Sequence, residues 1–218
     1  MSRLIPLLAG LVAATLAGRA AEEPRWIAEQ MPGGTVDVTP GQLRIADAAG
    51  CTVWWTERLR APLVIRYELT MIAAGGPQDR VSDANCFFLA TDPTAPDGRP
   101  FGTQPARTGR FADYDALRTY YVGMGGNNNS TTRFRRYAGD GTKPLLPAHD
   151  LQEAKYLLEG NRTYRIEIRV GADGLVEYRR DGEVFFSWRD PEPLREGWFA
   201  FRTVHSHQVI RGLAITAE

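Results

Sequence analysis

Lysine is almost missing from this chain: Lys143 and Lys155 are the only two among 26 basic residues, and 26 acids balance them to a formal charge of 0. A balanced chain lacks the basic excess that phosphate backbones select, so no nucleic-acid partner is expected. Arginine carries the positive charge instead, and it is the side chain that pairs bidentately with a carboxylate. Cysteine is equally scarce. Cys51 and Cys86 show no metal-ligand spacing and no nucleophile context. In an exported chain they permit one disulfide, while two buried thiols fit their apolar surroundings (CTVWW and NCFFLA) equally well.

Long apolar runs are missing beyond the first twenty residues, so no membrane-spanning segment is expected after them. Met1-Ser2-Arg3 gives a positive start, Leu4 to Leu16 is apolar or small, and Gly18-Arg19-Ala20 offers small residues at a cleavage point. Residues 1–20 therefore read as a signal peptide, with one domain over 21–218 and a secreted or periplasmic location. Removing 1–20 takes Arg3 and Arg19 but no acid, so the formal charge moves to −2. Catalytic signatures are missing too. There is no Glu-x-Asp-x-Glu, no serine elbow and no glycine-rich phosphate loop, which argues against ordinary two-carboxylate glycoside hydrolysis.

What is present is β-structure. Short alternating runs separated by Gly, Pro, Asn and Asp place strands at Thr35–Val38, Gln42–Ala46, Cys51–Thr56, Leu63–Ile72, Asn85–Thr91, Leu117–Gly123 and Thr131–Tyr137. Further strands follow at Tyr164–Val170, Leu175–Arg180, Glu183–Trp188, Gly197–Thr203 and Val209–Thr216. Such spacing predicts an all-β jelly-roll sandwich of two antiparallel sheets. Helix signals are limited to a turn or two at Ala112–Leu117 and Leu151–Tyr156. Two long loops, Asp92–Tyr114 and Ala138–Glu159, flank the Leu117–Tyr137 hairpin and are placed to wall a groove across it.

That hairpin reads LRTYYVGMGGNNNSTTRFRRY. Alternate strand residues share a face, so Arg118 and Tyr120 lie together with Thr119 and Tyr121 opposite, and Arg133 and Arg135 share a face. Arginines and tyrosines on an open sheet face suit a flat polar ligand, an anionic sugar above all. The Gly125–Asn129 stretch tolerates positive φ and reads as a turn, with Asn127 a candidate sugar contact.

The histidines are His149, His205 and His207. His205 and His207 share a strand-like face, but an HxH pair without a third ligand is a weak metal signal, and no metal site is assigned. His149 lies in the second long loop, within reach of a groove. Asp83 and Asn85 share a face and suit a sugar hydroxyl, a turn, or a calcium ion through oxygen ligands. No cofactor is assigned; calcium or another divalent metal stays open.

The strand order, with RDGEVFFSW, GWFAFRT and a closing RGLAIT, resembles the concanavalin-A-like, laminin-G-like jelly rolls. Within that group VSDANCFFLATDP, YYVGMGGNNNSTTRFRRY and GWFAFRT resemble an uncharacterised family of bacterial secreted proteins. The chain is also distantly similar to YesU-type proteins of rhamnogalacturonan-degradation clusters. Its tail, GWFAFRTVHSHQVIRGLAI, is similar to that of 3-keto-disaccharide hydrolases, a resemblance that implies Arg202 and His205 on the concave sheet. One fold hosts lectins, hydrolases and lyases, so no reaction transfers with it.

The chemistry that suits these residues is β-elimination on a uronic-acid glycan. Arg118 or Arg135 with Asn85 would neutralise the carboxylate, His205 would be the base, and Tyr120 or Tyr121 the acid. Substrate contacts would come from Arg133, Asp83, Arg202, Asn127, His149 and His207. The alternatives are a non-catalytic, lectin-like carbohydrate-binding domain and a 3-keto-glycoside hydrolase or eliminase. The expected partner is a poly- or oligosaccharide met by a monomer.

Overall fold

The computed structural model describes residues 25–218, so the signal-peptide expectation for 1–20 lies outside the described residues. Two seven-stranded antiparallel sheets pack face to face. The first has the order β1 (Trp26–Gln30), β4 (Cys51–Arg60), β13 (Glu196–Thr203), β6 (Asn85–Thr91), β7 (Arg118–Gly125), β8 (Thr131–Ala138), β9 (Asp150–Leu151). The second runs β12 (Glu183–Arg189), β11 (Leu175–Arg180), β10 (Thr163–Val170), β5 (Leu63–Met71), β14 (His207–Ala217), β3 (Gln42–Ala46), β2 (Thr35–Thr39). The jelly-roll expectation is met.

In the second sheet β3, β10 and β11 alternate between buried and water-facing residues. Along β5 Leu63, Ile65, Tyr67, Leu69 and Met71 are buried, and Arg66 and Glu68 are exposed. Arg66 bonds Glu167 across the β5–β10 ladder at 2.7 Å. Its outer face is thus a water-facing charged surface.

The first sheet is buried on both faces over much of its width, which is why a strand such as β6, NCFFLAT, runs apolar without alternation. Val53, Phe88, Tyr120, Val122, Phe134, Phe199 and Phe201 point into the inter-sheet core. Trp54, Phe87, Tyr121, Tyr137 and Trp198 point the other way, with Phe101, Tyr114 and Leu117 of the 92–117 loop packed over them. Each large side chain buried there contributes roughly 1.5–3 kcal/mol. The loop is pinned by Glu29, whose carboxylate accepts bonds from Trp54 Nε1 and the Tyr114 hydroxyl, both at 2.9 Å. Burial raises the Glu29 pKa despite those two bonds.

Strands β1 and β9 were not foreseen, and β4 runs on to Arg60. The expected helical turns are short 3-10 turns at Phe111–Tyr114 and Ala154–Tyr156. Cys51 and Cys86 are both buried free thiols on the inter-sheet face, their pKa values pushed up to about 12 by burial. They flank β13, opposite Thr203 and Phe201 respectively. Two strand spacings and a two-residue stagger along β13 put their backbones roughly 11–12 Å apart, beyond disulfide reach.

Candidate functional site

The strand registers lay two rows of side chains across the outer face of the first sheet. One row runs Glu29, Thr52, Arg202, Asn85, then Gly123, Arg133 and Asp150 on the neighbouring strands. The next runs Ile27, Trp54, Ala200, Phe87, Tyr121, Arg135. A polar row therefore lies beside a largely aromatic one, the arrangement that grips a sugar by its hydroxyls and its apolar ring face. At the β7–β8 end the face opens into a groove of about 550 Å³. Tyr121, Tyr137 and Phe111 supply its rings, Arg133, Arg135 and Lys143 its cations, and Asp83 and Asn127 further polar groups.

Gly123 makes room in the polar row. A Cβ there would lie 2.9 Å from the Tyr121 hydroxyl, so the tyrosine ring folds back over the glycine. The Tyr121 hydroxyl has no partner among the described residues, and burial holds its pKa well above the ordinary phenol range. Arg133 is held bidentately by Asp150, at 2.8 and 3.1 Å. The pair raises the arginine pKa and lowers that of the aspartate. Arg135 donates to the Lys143 carbonyl and has no carboxylate partner among the described residues. Lys143 reaches Asp115 at 2.6 Å and lies near the Phe111 and Tyr137 rings.

The groove's end is shaped by a left-handed turn, Gly126–Asn129, in which Asn127, Asn128 and Asn129 all have φ between 53° and 59°. Asparagine tolerates that region because its short amide bonds locally. Asn129 bonds both the amide and carbonyl of Leu158, Asn128 accepts from Arg80, and Asn127 donates to Thr131. The turn expectation holds, and Asn127 is the one of the three that lines the groove. Arg80, which sequence reasoning passed over, fastens this end to Asp83, Asn128 and the carbonyls of Val204 and His205.

Several expected site residues are placed elsewhere. Tyr120 points into the inter-sheet core, where its hydroxyl donates to Asp190 at 2.7 Å and accepts from the Leu194 amide at 3.0 Å. It therefore does not share a face with Arg133 and Arg135; its neighbour Tyr121 does. Arg118 is exposed at the start of β7 and has no ion pair among the described residues. His205 is exposed in the β13–β14 turn, its ring Nε2 donating to the Pro77 carbonyl at 3.0 Å. It does not line the groove. His207 is buried between Asp79, 2.7 Å from its Nδ1, and Arg44, which donates to its Nε2 at 2.8 Å. His149 packs on Phe134, Phe186 and Trp188 on the core side, and burial lowers its pKa. For Tyr120 alternation is the physical reason, since one residue's shift swaps the face; His149 and His205 lie in turns, where alternation gives no guide.

Asp83 accepts from Arg80 at 2.8 Å and from the Ser82 hydroxyl at 2.6 Å, so its open-calcium expectation meets a carboxylate already engaged. Among the described residues no group of three or more His, Cys, Asp or Glu is placed to hold a metal ion. A hollow of about 840 Å³ lies within the 92–113 loop, but its Arg107 is bonded to its own Asp92 and to the loop backbone.

The fold is shared with solved structures of low sequence identity. A galectin-like protein of unknown function from Bacillus subtilis aligns with a TM-score of 0.63 at 18% identity, over 87% of this chain and 88% of that one. The carbohydrate-binding module CBM66 from Bacillus subtilis aligns at 0.58 and 10% identity, over 88% and 94%. The exoplasmic/lumenal domain of VIP36, solved with Ca2+ and Man3GlcNAc, aligns at 0.54 and 10%, over 89% and 84%. No protein of curated function matches in sequence. These likenesses establish the fold, and they lend no support to the YesU-type or 3-keto-disaccharide hydrolase resemblances. A family profile, by contrast, matches residues 45–213: the chain belongs to the domain of unknown function DUF6250.

Proposed function

We propose that this is a glycan-recognition domain of a secreted or periplasmic protein, binding oligo- or polysaccharide on the outer face of its first sheet. One observation carries the reading. The groove gathers three aromatic rings, three cationic side chains, Asp83 and Asn127 on one side of β7 and β8, while all three histidines lie outside it. Rings stack on sugar faces, and the polar groups between them read hydroxyls. The likeness to a carbohydrate-binding module and to a lumenal domain solved with an oligosaccharide agrees with this use of the fold.

Recognition accounts for the geometry better than uronate elimination does. Elimination needs a base poised at the C5 proton, and general-base work requires hydrogen-bond reach. Of the two expected acids Tyr120 is committed to Asp190 on the opposite face and Tyr121 lines the groove, but the expected base, His205, donates to Pro77 outside it.

Calorimetric titration of the mature protein with a panel of acidic and neutral plant and algal glycans tests the proposal. Each mixture is followed in parallel by ultraviolet absorbance for an unsaturated product. Binding without product is the expected result. Product formation refutes a recognition role, and the lack of binding across the panel refutes glycan recognition itself.

A further inference from the structure

Arg202 is 0% exposed, yet it makes no ion pair among the described residues. Its Nη1 donates to the Gly109 carbonyl and to Thr52 at 3.3 Å. Its Nε and Nη2 have no hydrogen-bond partner among the described groups, and neither has Oδ1 of Asn85, which is 4% exposed. Buried Arg180 and half-buried Arg107 are employed differently. Arg180 donates to the carbonyls of Lys155, Tyr156 and Leu157, and Arg107 is paired with Asp92. Buried polar groups are normally satisfied, and a buried charge most of all.

The orphaned groups are neighbours. Arg202 and Asn85 face each other across the β13–β6 ladder, on the same outer face as the groove. Directly opposed residues have Cβ atoms roughly 4.5–5.5 Å apart, and the Arg202 Nη1 turns to Thr52 on the other neighbour of β13, leaving Nε and Nη2 unbonded. Phe111 covers Arg202. Its ring lies 5.3 Å from the Arg202 guanidinium on one side and lines the groove beside Tyr121 on the other. Phe111 is 37% exposed and sits in a one-turn segment of the long loop, so the roof itself is the part most easily displaced.

The donors and acceptor specify a ligand. Nε and Nη2 form one edge of the planar guanidinium, the edge that takes both oxygens of a carboxylate. Asn85 Oδ1 only accepts, so it requires a donor that an ionised carboxylate lacks and an adjacent hydroxyl supplies. We propose that Arg202 and Asn85 form a seat for a carboxylate and its neighbouring hydroxyl, the pair that a uronic acid with a free 4-hydroxyl carries at the non-reducing end of a 1,4-linked chain, beneath Phe111. This seat rests on the glycan-recognition reading and names the sugar class that the face selects. Arg135, which also lacks a carboxylate partner among the described residues, adds positive charge on the approach.

The test titrates oligogalacturonate, oligomannuronate and oligoglucuronate, each against its own carboxyl-reduced neutral counterpart. At least one acid form should bind about 10- to 100-fold more tightly than its counterpart, the range expected for charge-assisted bonds. Asn85→Asp places a carboxylate beside Arg202 and occupies the seat from within. In that variant, whose new carboxylate also stands beside Asp83, 3.5 Å from the Asn85 amide nitrogen, the acid form should bind no more tightly than its neutral counterpart. Phe111→Ala, a change at a half-exposed ring, should speed association of the acid form several-fold. Equal binding of acid and neutral forms, a preference that survives N85D, or an unchanged association rate in F111A overturns the seat while leaving glycan recognition standing. Failure of all three pairs to bind also overturns the seat, and the broader panel then decides recognition independently.

Discussion

Tyr120 and Tyr121 are adjacent in sequence and opposite in use, so removing one hydroxyl from each should produce two separable phenotypes. In Tyr120→Phe the core loses the bond to Asp190 at 2.7 Å and orphans the Leu194 amide, which bonds the same oxygen at 3.0 Å. One of these is a bond to a charged group and one leaves a buried donor unpaired, so the cost is roughly 2–4 kcal/mol. For a domain of this size that lowers Tm by about 4–16 °C. Glycan affinity measured well below that Tm should be unchanged. In Tyr121→Phe no protein bond is lost, because the hydroxyl has no partner among the described residues, and the ring contacts to Phe87 and Tyr137 persist. Stability should stay within about 0.5 kcal/mol of wild type, whereas glycan affinity should fall about 3- to 10-fold for one lost hydrogen bond. Differential scanning fluorimetry and calorimetric titration on the same preparations read both effects. If Y120F weakens binding as much as Y121F does, or if Y121F is the less stable of the two, the assignment of faces is refuted.

Arg80→Ala should release four acceptors at the groove end, raising amide hydrogen exchange in residues 79–84, 126–130 and 203–206 with the rest of the sheet unchanged. Cys51 and Cys86 should react with a thiol reagent only after denaturation, and reducing agent should leave Tm unaltered, since both are buried free thiols. His149 is held neutral by burial, so its folded pKa lies below its unfolded one. The unfolded chain then binds the extra proton, and stability should fall as pH drops below about 6.5. His149→Phe should flatten that fall between about pH 6.5 and 5 in thermal melts. Glycan binding should be insensitive to EDTA, because the Asp83 carboxylate is already engaged by Arg80 and Ser82.

Much of the fold was legible because residues alternate where one face meets water: the β10 run TYRIEIRV buries every second residue. The elements that escaped are those whose sequence does not alternate or is too short to try. Strand β9 is two residues long and exists because Asp150 pairs with Arg133. The site was half legible. Tyr121, Arg133, Arg135, Asp83 and Asn127 do line one groove, but Tyr120 and His149 belong to the core side. Period-two reasoning groups residues correctly and cannot say which group faces the second sheet, since both faces of β7 are apolar enough to be buried. Arg202 carried a signal that sequence could hint at, an arginine inside the run WFAFRT, but its unpartnered nitrogens needed coordinates. Glu29 and Arg80 gave no signal, because their partners lie far along the chain.

Electrophoretic retardation in gels containing the glycan panel, wild type against Arg135→Ala, tests the central claim most directly. Arg135 is half-exposed, bonds one backbone carbonyl and lines the groove, so its removal should leave the fold intact. Wild-type retardation by at least one glycan, lost in R135A at unchanged Tm, is the predicted result. Retardation equal in both proteins, or in neither, would contradict recognition through this face.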